Sequence, residues 1–169
     1  MKNQRKVIWI EDNPKFNETE REYMDKYLSS KNMTLIVWQE SVEKSDRGNE
    51  CLKFLKKQME WAKSSPEEIA GFILDVRIPV DDLNMLGLPV IETTTGLYTG
   101  LAVAYYYIIN KMNNSPLGNL FAKHHILFFS IAPGLGIEFP WIRQPPCDYI
   151  EKGSENWKSE LGTWFDNLL

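Results

Sequence analysis

Five short runs along this chain are rich in apolar residues. The runs predict strands, in chain order, at Lys6–Ile10, Thr34–Trp38, Gly71–Leu74, His125–Ile131 and Cys147–Glu151. Short, continuous apolar runs are typical of strands that are buried on both faces of a parallel sheet. The pattern therefore predicts five buried parallel strands.

Four further segments carry apolar residues at helical spacing. The stripes that define these helices are Phe16, Tyr23, Met24, Tyr27 and Leu28; Leu52, Leu55, Met59 and Ala62; Leu101, Ala104, Tyr105, Ile108 and Met112; and Trp157, Leu161, Trp164, Phe165 and Leu168. Alternating strands and helices predict an α/β fold in which helices cover both faces of the sheet. In such folds the functional site lies at the carboxyl ends of the strands.

Two segments interrupt this alternation. Pro79–Thr95 combines prolines, adjacent aspartates and a threonine run, which predicts a long loop. Ala132–Pro146 contains four prolines and two glycines, so we expect no regular helix there.

Composition and charge narrow the class of protein. The 169 residues suit one domain, which we expect to span 1–169. A net charge of −4, from 19 basic and 23 acidic residues, argues against direct nucleic-acid binding. No apolar stretch approaches a membrane span or a signal-peptide core, so we expect a cytoplasmic protein without membrane association. Cys51 and Cys147 fit neither a zinc spacing nor a disulfide framework, and we expect two free thiols.

Five polar residues stand at the carboxyl ends of predicted strands: Glu11, Asp12, Asp75, Ser130 and Lys152. Two carboxylates about 4 Å apart repel each other by roughly 4 kcal/mol at an effective dielectric constant near 20. Three together would raise one another's pKa values or recruit a cation. All-oxygen ligation with few carboxylates suits Mg²⁺, and an aspartate can form an aspartyl-phosphate as a nucleophile.

Each of these residues also has a purely structural interpretation. Asp12 is suited to capping a helix, Ser130 to a turn, and Lys152 to a solvated surface position. The convergence of all five on one edge of the predicted sheet favours a functional site.

Four stretches, taken in their order along the chain, resemble a known family: IWIEDNP at 8–14, ILDVRIP at 73–79, LFFS at 127–130 and DYIEK at 148–152. Together they resemble the receiver domain of response regulators, the CheY-like family, over nearly the whole chain. The resemblance implies a flavodoxin-like, doubly wound parallel sheet in the order 2-1-3-4-5. It also implies Mg²⁺-dependent transfer of a phosphoryl group from a histidine kinase or phosphotransfer protein.

The resemblance also implies a metal site. Asp75 matches the phosphoacceptor, which is itself a metal ligand. Glu11 and Asp12 match the acidic pair, with Asp12 the more direct Mg²⁺ ligand. The backbone carbonyl of Arg77 matches the third protein ligand.

Three further positions match residues that respond to the phosphoryl group. Ser130 matches the switch hydroxyl, and Lys152 matches the lysine that pairs with the phosphoryl group. Tyr149 matches the aromatic side chain that changes rotamer on activation.

The chain departs from the family pattern around the site. The family has Lys-Pro with a cis bond after strand five, whereas this chain has Lys152-Gly153. A cis bond without proline costs about 3 kcal/mol, so the conformation of this bond is open. Ile131 stands where the family has a small residue, and we expect it to slow phosphoryl exchange.

Two larger segments also depart from the family. The family's Asp-Gly-Leu at the start of helix three corresponds to Thr95-Gly96-Leu97 or Thr99-Gly100-Leu101, which implies an insertion at about 80–95. This insertion is a surface excursion or a lid. The segment at about 132–146 replaces the fourth helix, and its Phe139 and Trp141 either fill the core or form a partner-binding patch. His124 and His125 are expected to be structural.

We expect a stand-alone receiver that switches partner binding when Asp75 is phosphorylated, with at most self-phosphorylation and self-dephosphorylation activity. Only 167–169 follow the last predicted helix, so output would pass through a partner or through dimerisation. One alternative is a phosphorylation-independent interaction scaffold, favoured by Ile131, Gly153 and the insertion. Another is a Mg²⁺-dependent phosphohydrolase, but Arg77 stands where haloacid-dehalogenase-like phosphatases carry a second aspartate.

Overall fold

A five-stranded sheet forms the centre of the computed structural model, which describes residues 4–38, 47–80, 86–87 and 99–169. The strands are β1 (Arg5–Ile10), β2 (Met33–Val37), β3 (Ile69–Leu74), β4 (Ile126–Ser130) and β5 (Cys147–Glu151). They pair in the order β2-β1-β3-β4-β5, and every pair is parallel. The predicted flavodoxin-like topology is confirmed.

Helical segments surround this sheet. They are α1 (Glu18–Ser30), α2 (Arg47–Ser64), α3 (Thr99–Ala102), α4 (Asn110–Asn113), α5 (Leu135–Glu138) and α6 (Trp157–Asp166). A π-helical segment, Val103–Ile109, joins α3 to α4. Short 3-10 helices occupy Pro66–Glu68, Pro116–Ala122 and Pro140–Arg143.

The sheet separates two hydrophobic cores, because successive side chains of a strand point to opposite faces. In β1, Ile8 and Ile10 face the core that α2 covers. Val7 and Trp9 face the second core, which α1 and α6 cover. The predicted burial of the strands on both faces is therefore confirmed.

The first helix begins later than its apolar stripe predicts. Phe16, assigned to the stripe, precedes α1 and is 83% exposed. The carbonyl of Asn13 accepts hydrogen bonds from the Phe16 backbone N–H at 3.1 Å and from the Asn17 side chain at 3.0 Å. These bonds form a turn in place of a first helical turn. Asp12 therefore does not cap this helix, which removes its structural interpretation.

The third helix has a different register from the one predicted. In the π-helical segment, Val103, Ala104, Tyr107 and Ile108 are buried, whereas Tyr105 is 49% exposed. A π-helix bonds residue i to i+5, so its wider turn shifts which residues face the core. The assignment of Tyr105 to the buried stripe was wrong for this reason.

One of the two starts proposed for helix three lies in the described residues. α3 begins at Thr99, and a Cβ on Gly100 would lie only 1.9 Å from the backbone carbonyl oxygen of Asp75. The Gly100 N–H donates to the carbonyl of Val76 at 2.9 Å. Thr99-Gly100 therefore begins the described part of the helix, packed against the loop after Asp75. Gly96 and most of the predicted insertion at about 80–95 lie outside the described residues.

The segment at about 132–146 forms no long helix, as predicted. It contains only the four-residue α5 and the 3-10 helix Pro140–Arg143. Phe139 and Trp141 are partly buried against the core, and the Trp141 ring lies 5.7 Å from that of Phe128. These aromatic side chains fill the space of the missing helix.

The cysteines, His124 and the membrane-span prediction can also be compared with the structure. Cys51 and Cys147 are buried free thiols. His124 Nδ1 donates to the Cys147 carbonyl at 2.6 Å, which confirms a hydrogen-bonded structural role for His124. Within the described ranges, no helix has the length and hydropathy needed to cross a membrane.

The tight contact at Gly100 predicts a loss of stability in Gly100→Ala. A methyl group there would overlap the Asp75 backbone, and overpacking of this kind costs about 1–3 kcal/mol or more. Urea unfolding of the metal-free protein measures the change. Gly162→Ala in α6 is the control, because its nearest neighbours are tyrosine side-chain atoms at 3.1–3.3 Å, which can shift more easily than backbone. Equal stability losses in the two variants would contradict the account.

Candidate functional site

Three carboxylates meet at the carboxyl edge of the sheet. Glu11 and Asp12 follow β1 and Asp75 follows β3, which is paired directly with β1. Ligand oxygens of the three side chains all lie within 4.8 Å of one another, and the group is largely buried. These oxygens could bind a metal ion, so the predicted acidic cluster is present in the fold.

Lys152 lies inside this cluster rather than at the surface. Its Nζ donates to Glu11 Oε2 at 2.6 Å and lies 3.6 Å from Asp75 Oδ2. The side chains of Lys152 and Glu11 are only 3% and 2% exposed. The ring of Phe129 lies 5.3 Å from Nζ and adds an apolar wall. The interpretation of Lys152 as a solvated surface charge was therefore wrong.

Asp75 is held by the backbone that follows it. The Val76 N–H donates to Asp75 Oδ1 at 2.6 Å, and the Arg77 N–H lies 3.4 Å from the same oxygen. Its other carboxylate oxygen, Oδ2, is the one that faces Lys152. The Arg77 side chain is exposed, and the role of its carbonyl as a metal ligand stays a prediction.

Burial and mutual repulsion act on the two carboxylates after β1. Burial raises the pKa of Glu11 from 4.5 to about 7, although the Lys152 ion pair opposes this effect. Burial and the nearby Asp75 raise the pKa of Asp12 from 3.8 to about 6. Burial by itself lowers the pKa of Lys152, but Asp75 and Glu11 outweigh it and the pKa lies above 10.5. The cluster therefore favours binding of a further cation or protons.

Ser130 adds a hydroxyl group to the same edge. It ends β4 and is fully buried. Its Oγ has no hydrogen-bond partner in the part of the chain that the structure describes. Its backbone carbonyl accepts the N–H of Lys152 at 2.9 Å, which ties the two residues together. A buried hydroxyl without a partner is costly, and a ligand oxygen would satisfy it.

Tyr149 points into the protein. Its hydroxyl donates to the Ala132 carbonyl at 2.7 Å, two residues beyond Ser130. The Arg143 guanidinium carbon lies 5.3 Å from the centre of its ring. The tyrosine is thus bonded to the loop that follows β4, and its change of rotamer stays a prediction.

Ile131 and Gly153, which follow Ser130 and Lys152, were predicted to depart from the family pattern. The structure determines the conformation of the Lys152–Gly153 peptide bond. Pro145–Pro146 is the only cis bond among the described residues, so Lys152–Gly153 is trans. Gly153 has a φ of 81°, a left-handed conformation that favours glycine. Ile131 is 62% exposed beside the site, and its effect on exchange stays a prediction.

Three residues near the site were not found from the sequence. Trp38 Nε1 donates to the backbone carbonyl of Glu11. Arg47 opens α2 and lowers the pKa of Asp12, against the larger effects of burial and Asp75. Cys51 lies one helical turn after Arg47 and is fully buried. No local motif marks these residues, because their proximity to the site depends on contacts between segments that are distant in the sequence.

Comparison with known proteins adds no relative. No family model, no curated protein and no solved structure matches this chain. The fold assignment therefore depends on the observed strand order, and any function has to be argued from the site itself. The likeness to receiver domains stays an interpretation of the four sequence stretches at 8–14, 73–79, 127–130 and 148–152.

The raised pKa values predict how metal-free stability depends on pH. Between the ordinary values of 3.8 and 4.5 and the folded values of about 6 and about 7, the native state binds more protons than the unfolded state. The contribution of Glu11 and Asp12 to the free energy of unfolding therefore falls as pH rises through this window. Urea unfolding in a chelator, with wild type compared against Glu11→Gln/Asp12→Asn, isolates this contribution.

The variant should gain stability relative to wild type as the pH increases. Divalent-metal affinity of the wild type should rise over the same window, because metal binding requires the ionised carboxylates. A stability difference between the two proteins that does not change with pH would contradict the assigned pKa directions.

Proposed function

We propose that this protein is a response-regulator receiver that accepts a phosphoryl group on Asp75. Its donor is a histidine kinase or a phosphotransfer protein, and phosphorylation switches binding of a downstream partner protein. The proposal places this exchange in the cytoplasm. The strand order and the four sequence stretches agree with it.

One observation carries the proposal, namely the buried group formed by Asp75, Lys152 and Ser130. Lys152 Nζ lies 3.6 Å from Asp75 Oδ2, and the buried Ser130 hydroxyl has no hydrogen-bond partner among the described residues. At this edge of the sheet, a carboxylate could act as the nucleophile, a cation could offset charge on the phosphoryl oxygens, and a hydroxyl could donate a hydrogen bond to one of them. A structural ion pair alone gives no reason for the unsatisfied hydroxyl.

The donor atoms fit Mg²⁺. Asp12, Asp75 and the carbonyl of Arg77 would hold it, with Glu11 beside them. The set consists of oxygen atoms with few carboxylates, which Mg²⁺ prefers because it keeps several waters and shares a phosphate. When bound, the ion would neutralise negative charge on phosphoryl oxygens. The raised pKa values of Glu11 and Asp12 support a cation at this place.

In the transfer step, a carboxylate oxygen of Asp75 attacks the phosphorus of phosphohistidine. A P–O bond to Asp75 forms as the P–N bond breaks, and the electron pair of that bond stays on the imidazole nitrogen. Lys152 offsets charge on the transferred oxygens, and Ser130 donates a hydrogen bond to one of them.

A movement of Ser130 would also move the residue to which Tyr149 is hydrogen-bonded. The Tyr149 hydroxyl is bonded to the carbonyl of Ala132, so a movement of the loop after β4 alters its partner. The phosphoryl group would favour one of two conformations of this loop. In this proposal, the favoured loop conformation determines whether the downstream partner protein binds.

The first test is phosphorylation by acetyl phosphate, measured by intact-protein mass spectrometry. We expect one added phosphoryl group on the wild type in the presence of Mg²⁺, since the acyl phosphate can replace phosphohistidine as donor. Asp75→Asn and a sample in chelator are the controls, and neither should gain mass. Lys152→Met should lose most of the addition while still binding Mg²⁺. An unmodified wild type that is folded would reject the proposal and favour the scaffold alternative.

Ile131 is expected to slow exchange at the phosphoryl site. Its branched side chain follows Ser130, and Ile131→Ala should raise both the phosphorylation and the dephosphorylation rate several-fold by opening access. Ile137→Ala, which removes an 86% exposed isoleucine on α5, is the matched control. Time courses of the same mass measurement give the rates, and unchanged rates in Ile131→Ala would refute this role.

A further inference from the structure

The guanidinium of Arg143 lies over the ring of Tyr149. Arg143 ends the 3-10 helix Pro140–Arg143, and its guanidinium carbon lies 5.3 Å from the centre of the tyrosine ring. A guanidinium at this distance is attracted to the face of an aromatic ring and stacks on it readily. Tyr149 is only 6% exposed, whereas Arg143 is exposed. The arginine therefore forms part of the cover that separates Tyr149 from solvent.

The same guanidinium packs closely against the backbone of α5. A Cβ built on Gly136, which lies in this helix, would lie 2.0 Å from Nε and 2.8 Å from Cζ of Arg143. Glycine leaves this space free, since a methyl group there would overlap the arginine side chain and displace it. Arg143 thus contacts both α5 and the Tyr149 ring, and its place depends on the missing side chain at Gly136.

The hydroxyl end of Tyr149 is bonded to the loop that follows β4. It donates to the Ala132 carbonyl at 2.7 Å, two residues beyond Ser130. Ser130 ends β4, and its buried hydroxyl has no partner among the described residues. This arrangement leaves a buried hydroxyl unsatisfied, and an oxygen of a bound phosphoryl group would satisfy it. An interaction that stabilises the arrangement in advance should therefore strengthen binding of such a group.

We propose that Arg143 is a positioning residue for the phosphoryl site, which acts by holding Tyr149 in its hydrogen bond to the loop after β4. The inference rests on the proposed function, because it concerns the regulation of the same site. Without the guanidinium, Tyr149 spends part of its time away from Ala132, and the loop loses a fixed point close to Ser130. The fraction of protein that is ready to bind falls, and the apparent affinity for a phosphoryl group falls with it.

Binding of Mg²⁺ alone should not depend on Arg143. The three carboxylates that could hold the ion follow β1 and β3, whereas Tyr149 is bonded to the loop that follows β4. The affinity for the metal and the affinity for a phosphoryl analogue therefore separate this role from a general disturbance of the site.

Four variants separate the position of Arg143 from its charge. Arg143→Ala removes the cover of the tyrosine ring, and Arg143→Lys keeps a cation that can lie over the ring and should restore part of the effect. Gly136→Ala keeps Arg143 and its charge but fills the space that its guanidinium occupies. The end of a flexible side chain moves easily, so this variant should stay folded. Arg21→Ala is the charge control, because it removes an equal charge from α1, where Arg21 pairs with Asp25.

The first measurement is calorimetric titration with beryllium fluoride at saturating Mg²⁺, which imitates a phosphoryl group on a carboxylate. Arg143→Ala and Gly136→Ala should each bind it about twofold to fivefold more weakly than wild type, as expected for loss of an exposed cation–π contact. Arg21→Ala should match wild type, and Mg²⁺ alone should bind to every variant equally. In Tyr149→Phe, which lacks the hydroxyl that bonds to Ala132, adding Arg143→Ala should cause no further loss.

The second measurement follows Tyr149 directly, by ¹⁹F NMR of protein labelled with 3-fluorotyrosine. Tyr149 is one of seven tyrosines, and its resonance is identified by its absence from Tyr149→Phe. In Arg143→Ala and Gly136→Ala this resonance should move towards the position of solvent-exposed fluorotyrosine. Beryllium fluoride with Mg²⁺ should move it back towards the wild-type position, because coupling between the ligand and the tyrosine acts in both directions. Removal of a mere cover would give a shift that the ligand does not reverse.

The outcomes distinguish failure of this inference from failure of the proposed function. Wild-type affinity for beryllium fluoride in Arg143→Ala would overturn the inference and leave the proposed function intact. An equal loss with and without the Tyr149 hydroxyl would also overturn it, because Arg143 would then act by another route. Weaker binding of Mg²⁺ alone in Arg143→Ala would show a general disturbance and overturn it as well. A wild type that binds Mg²⁺ but no beryllium fluoride would reject the proposed function, and this inference with it.

Discussion

The buried ion pair between Lys152 and Glu11 is the interaction on which the site depends. Three carboxylates within 4.8 Å of one another repel strongly in a buried environment, and one internal cation reduces that repulsion. Removing one partner of a buried pair leaves an uncompensated charge, which costs several kcal/mol. The pair therefore keeps the carboxylates together, while the raised pKa values of Glu11 and Asp12 leave the cluster receptive to a further cation.

The parallel sheet makes this arrangement available. β1, β3, β4 and β5 are consecutive neighbours, so the residues that follow them meet at one edge. Helix packing then fixes the loop that follows Asp75. The backbones of α2 and α3 approach it through Gly48 and Gly100, where no side chain fits. The loop that follows Asp75 is thus held by helices on two sides.

The sequence was sufficient for the strands and for the residues that follow them. Apolar runs reveal buried strands, and a polar residue directly after such a run has its position set by the sheet, as for Asp75 and Lys152. The start of α1 was missed because hydrogen bonds to the Asn13 carbonyl compete with the helix. The exposure of Tyr105 was missed because a π-helix changes the spacing of buried positions. Trp38 was missed because its hydrogen bond to the Glu11 carbonyl joins segments that are distant in the sequence.

The most direct test of the metal site is an anomalous-scattering map from crystals grown with Mn²⁺, a substitute for Mg²⁺ with the same preference for oxygen ligands. The account predicts a single strong peak bonded to carboxylate oxygens of Asp12 and Asp75 and to the Arg77 carbonyl, with Lys152 retained beside Glu11. A map with no peak at this edge, although the protein is folded and the ion is in excess, would contradict the account. A peak ligated only by other residues would contradict it equally.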